Sequence, residues 1–211
     1  MAEAGEVMTQ VDKQDSNSVG LGEWIFRILL VAGAAYMVYS WFEPWWSAKI
    51  LVLPGEDHMV MRPWGIEVVS QVKKNAEASL WSMPWFFEPF MWTYLTLCML
   101  ALAASLFVKR QISFAFVKLP KLKLPLATVL IGFVGMSYLI AVVLAFVIGD
   151  LRAEMADSNF IGKSKVVHAM TGNKVKMVSD LKDGYWFALY AGPVLILLAL
   201  LRGLFVGKSK I

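Results

Sequence analysis

Six consecutive residues, Glu56-Asp57-His58-Met59-Val60-Met61, hold the richest set of ligand atoms in this chain. They offer carboxylate oxygen, imidazole nitrogen and thioether sulfur. Thioethers suit cuprous copper, and imidazole suits many divalent metals. His58, Met59 and Met61 are therefore the candidate metal ligands. They support one functional reading, a membrane redox or metal-handling protein associated with copper or haem. The second histidine, His168, could meet His58 only if two separate loops came together. A haem buried among membrane helices needs histidines inside apolar runs, and neither histidine lies in one. The single cysteine, Cys98, does lie in one, which excludes a disulfide framework and a multi-cysteine metal site. No glycine-rich phosphate loop, Gly-x-Ser-x-Gly or His-Glu-x-x-His pattern occurs. The expectation is no catalytic residue and no cofactor.

Four apolar runs must position whatever chemistry there is: 24–42, 89–108, 126–148 and 185–201. Each approaches the length that crosses a hydrocarbon core of roughly 30 Å. The 211 residues are 58% hydrophobic and 17% charged, against about 25% charged in a soluble domain. A bilayer can absorb that apolar excess. The fold class expected is all-α, a polytopic membrane protein with four transmembrane helices. Two larger extracytoplasmic loops, 43–88 and 149–184, join them. Residues 1–22 read as a disordered acidic cytoplasmic tail, and 23–211 as one four-helix transmembrane domain. None of the runs contains an acid or a histidine. Pumps, ion-coupled transporters and intramembrane proteases generally need such groups, so these classes are disfavoured.

Charge sets the orientation. The link 109–123 carries Lys109, Arg110, Lys118, Lys121 and Lys123 without an acid, and the C-tail carries Arg202, Lys208 and Lys210. The two long loops mix both signs. Dense basic residues in short segments mark the cytoplasmic side, which places both termini inside and the protein in a cytoplasmic (inner) membrane. The basic link suits anionic lipid, where each cation is worth on the order of 1 kcal/mol, or a partner's acidic face. A net charge of +4, without a concentrated patch, argues against nucleic acid.

Several local patterns complete the reading. Phe42-Glu43-Pro44 and Phe87-Glu88-Pro89 are flanked by tryptophans, which favour the membrane interface. Val68, Val72, Ala76 and Leu80 recur every four residues, as on an amphipathic helix. The lysine-rich stretch 161–181 reads as a solvated loop with some helix. Ser137, Ala141, Ala145 and Gly149 fall four apart, a small-residue packing face that lets helices approach in lipid. Pro193 should kink the fourth span.

The second span closes on a basic junction, Phe107-Val108-Lys109-Arg110-Gln111-Ile112. With one span and an amphipathic outer loop before it and two spans after, the layout resembles small four-span membrane proteins of conjugative elements and type IV secretion systems. The resemblance covers topology and that junction and implies no particular site residue. The main functional expectation is a non-catalytic subunit of a multiprotein inner-membrane assembly, with secretion or conjugation as its instance. Its partners would be the lipid bilayer and other membrane-protein subunits.

Overall fold

The structure, a computed structural model, describes residues 20–55, 57–68, 83–108, 111–114, 122–155, 157–167 and 174–206. Expectations for the tail 1–19, Glu56, the amphipathic stretch 69–82, His168 and most of the basic link fall outside these residues.

Four helices form where the apolar runs lie. They are α1 (Leu21–Phe42), α2 (Phe87–Phe107), α3 (Leu126–Met155) and α4 (Asp183–Phe205). Each is long and apolar enough to cross a membrane, as in a multi-pass membrane protein. No side chain caps the start of α1, α2 or α4. The helical state follows instead from lipid, where each backbone polar group must be satisfied within its own segment. Only 22–33% of each span is buried inside the protein, so most of each helix surface remains for lipid or other chains. The helical α4 continues through Pro193 to Phe205.

A close helix contact joins α3 and α4 at two glycines. A Cβ on Gly135 would meet the Gly192 carbonyl oxygen at 2.8 Å, and one on Gly192 would meet that of Gly135 at 2.9 Å. Only a hydrogen fits there, so the backbones touch, as small residues permit in lipid. Met37, Trp41, Tyr138 and Leu195 centre the resulting core. The Ser40 and Tyr138 hydroxyls share a hydrogen bond of 2.9 Å within it.

The expectation of an all-α protein is overturned by seven strands among the described residues. They are β1 (Trp46–Ile50), β2 (Met59–Arg62), β3 (Gly65–Val68), β4 (Gln111–Phe114), β5 (Leu122–Pro125), β6 (Gly162–Val167) and β7 (Lys174–Leu181). β4 and β5 pair with each other across the basic link between α2 and α3. The other five make one antiparallel sheet in the order β3-β2-β1-β7-β6. The stretch 161–181, read as a loop with some helix, is thus largely a hairpin. Val68 closes β3 rather than opening a helix.

The sheet explains how the two long loops relate. β1 follows α1 and β7 precedes α4, and they pair from Trp46↔Leu181 to Ile50↔Met177. Both loops therefore sit at one end of the helices. At the other end the start of α1 meets the end of α4, with Gly22 against the Phe205 carbonyl. One sheet face is apolar, with Trp46, Ala48, Met59, Met61 and Met177 buried. It is covered by the end of α3, because that helix runs on past 148 to Met155. Thirty residues span about 45 Å, well beyond a hydrocarbon core of roughly 30 Å. The surplus turns bring Ala153 into the sheet core. Phe146 and Leu181 pack against both cores.

Candidate functional site

Between β1 and β2 the chain reverses through Gly55, whose φ of +121° is open to glycine. His58 closes this turn and is 2% exposed. Its Nδ1 accepts from the Ile50 N–H at 3.2 Å, and Nε2 lies 3.2 Å from the Pro54 carbonyl oxygen. With Nδ1 accepting, the network assigns the proton to Nε2, which donates to Pro54. Met59 and Met61, two residues apart on β2, share the buried apolar face. The fold thus gathers the two sulfurs beside Trp46 and Met177 and ties the imidazole to the turn. A metal at His58 would have to displace one of its two backbone partners. Nearby, Asp57 accepts from Ser47 Oγ at 2.9 Å and pairs with Lys182 at 3.3 Å. Among the described residues no group of three or more His, Cys, Asp or Glu could hold an ion.

The small-residue row on α3 divides between two surroundings. Ser137 Oγ accepts from the Tyr94 hydroxyl of α2 at 3.1 Å and donates to the Val134 carbonyl at 3.0 Å. Higher up, Ala141, Ala145 and Gly149 line a groove of about 360 Å³ between α2 and α3. Phe160 also rests on Gly149, where a Cβ would lie 2.6 Å from its ring. Trp46 stacks on the other side of this contact, with ring centroids 5.5 Å apart, and donates Nε1–H to the Phe160 carbonyl at 2.7 Å. Trp45 likewise turns inward and donates to the Ser40 carbonyl at 2.8 Å. These two tryptophans, expected at the interface, are buried.

The opposite face of the sheet is basic. Strand alternation puts successive side chains on opposite faces. Register then places Lys163, Val178 and Lys49 in one row and Lys165 opposite Lys176 in the next. Lys174 pairs with Val167 and so joins the same face. Five lysines from three adjacent strands therefore share a surface. Among the described residues none of the five forms an ion pair. Asp180 lies on this face opposite Ser47, towards the helices. Glu67 is held by Arg62. A shallow depression of about 480 Å³ is lined by Lys163, Lys165, Lys174 and Lys176 together with Asp157 and Asn159. Like charges directly opposite in a sheet are destabilising, by a few tenths to about 1 kcal/mol.

Of the basic link, Lys109, Arg110, Lys118 and Lys121 are outside the described residues, and Lys123 is placed in β5 by its backbone. The lysine face was missed as a face because its lysines read as loop charge. The signal was present in Lys163-Ser164-Lys165 and Lys174-Val175-Lys176-Met177, a period of two. No protein-family model matches this chain, and no curated protein matches it.

Proposed function

We propose that this protein is a non-catalytic integral subunit of a multiprotein membrane assembly. Four spans anchor it, and the lysine face of the sheet docks an anionic surface of a partner subunit. The observation that carries this reading is the row pairing Lys165 with Lys176 within a face of five lysines. Like charge held together in register lowers the stability of the lone protein and favours complementary association. The largely unburied spans add surface for neighbouring subunits. The finer reading places the protein in a cytoplasmic (inner) membrane. Both termini and the β4–β5 hairpin then face the cytoplasm, and the five-stranded sheet faces outward. Secretion or conjugation is the instance that the span layout resembles.

The test is co-purification in mild detergent at native expression level. The wild type should bring other chains with it. Lys165→Glu with Lys176→Glu should lose them while the protein stays folded. A homogeneous lone monomer for the wild type would overturn the proposal.

A further inference from the structure

The groove between α2 and α3 has a composition of its own. Its floor is Ala141, Ala145 and Gly149, and its walls include Phe90, Leu144 and Ile148. Phe90, Leu144 and Ile148 are exposed, so the trough opens sideways to whatever surrounds the helices. Among the described residues no carboxylate lines it, and its charged residues are two arginines, Arg62 and Arg152. Arg62 is already committed. It pairs with Glu67, and its Nε donates to the Phe42 carbonyl at 3.3 Å. Arg152 is not. Among the described residues it forms no ion pair, and its one hydrogen bond goes to Met83 Sδ at 3.5 Å, a weak acceptor.

Depth matters as much as composition. Eleven residues separate Ala141 from Arg152, about 16 Å along a helix. α3 exceeds the hydrocarbon thickness, and its end rises into the sheet core. The lower part of the trough therefore lies at acyl-chain depth, and Arg152 lies at headgroup depth. A guanidinium recognises a phosphate through paired N–H donors.

We propose that this groove binds one anionic phospholipid, its phosphate on Arg152 and an acyl chain along Ala145 and Ala141. The site is independent of the lysine face, which lies on the other side of the sheet. Charge complementarity selects this occupant, because a partner helix would leave Arg152 facing apolar side chains unless it brought its own acid.

The experiment is native mass spectrometry of the full chain released from mixed bilayers of phosphatidylglycerol and phosphatidylcholine with identical acyl chains. Wild type should retain phosphatidylglycerol over phosphatidylcholine by about fivefold, the effect of one interfacial cation. Arg152→Gln should bring the ratio close to one. Ala145→Leu, which fills the trough and leaves the charge, should lower retention of both lipids. Excess inorganic phosphate should displace neither, because the chain supplies part of the contact. A photoactivatable phosphatidylglycerol gives a readout on unmodified protein, with labelling expected on 141–152. An unchanged ratio in Arg152→Gln, labelling spread evenly over all four helices, or a partner helix crosslinked into the trough would each overturn the proposal.

Discussion

At His58 the two ring nitrogens meet an amide N–H and a carbonyl of the same turn, and this decides what a substitution does. His58→Ala leaves the buried Ile50 N–H without its acceptor. An orphaned buried donor costs about 1–3 kcal/mol, so the thermal midpoint of the solubilised protein should fall. Metal content, measured by elemental analysis, should be the same before and after the change. Stoichiometric copper or zinc in the wild type that vanishes in His58→Ala would instead make His58 a ligand. The ligand types at 58–61 were legible in the sequence, because they depend on residue identity alone. Their partners were not, because Ile50 and Pro54 reach His58 only through the turn at Gly55.

Among the elements, all four helices were legible, since an apolar run of span length has one outcome in lipid. The strands were not. β2 and β3 are four residues each, joined by Pro63-Trp64, too short for periodicity to stand out. β6 and β7 alternate clearly, yet their lysines drew attention to charge rather than to period. The close approach of α3 and α4 was also missed. It depends on Gly135 meeting Gly192, fifty-seven positions away, whereas spacing within one helix shows only which residues share a face. Gly135→Leu should therefore separate two touching backbones and cost at least the 1–3 kcal/mol typical of overpacking. Val143→Leu, at a residue 45% exposed, should be nearly silent. Ala141→Leu should be intermediate at most, because it projects into a groove with room to receive it. Thermal stability in one detergent separates the three. Equal losses at Gly135 and Val143 would contradict the glycine contact.

For the whole molecule, two cores are stacked along one direction, a helix core and a sheet core, joined through Phe146, Leu181 and the long α3. The sheet ends this stack with its apolar face inward and its lysines outward. In the proposed role this platform holds charge in a fixed pattern while the spans hold it at the membrane. Sequence charge counts could not reveal it, because acids and bases nearly balance over the loops and only register gathers five lysines onto one face. The most direct measurement is the yield of the partner-bound complex from membranes carrying wild type, Lys165→Glu/Lys176→Glu, or Lys165→Arg/Lys176→Arg, each normalised to folded protein. Charge reversal should abolish the complex, and arginine should preserve it. Equal yields from wild type and the charge-reversed protein would contradict the proposed role.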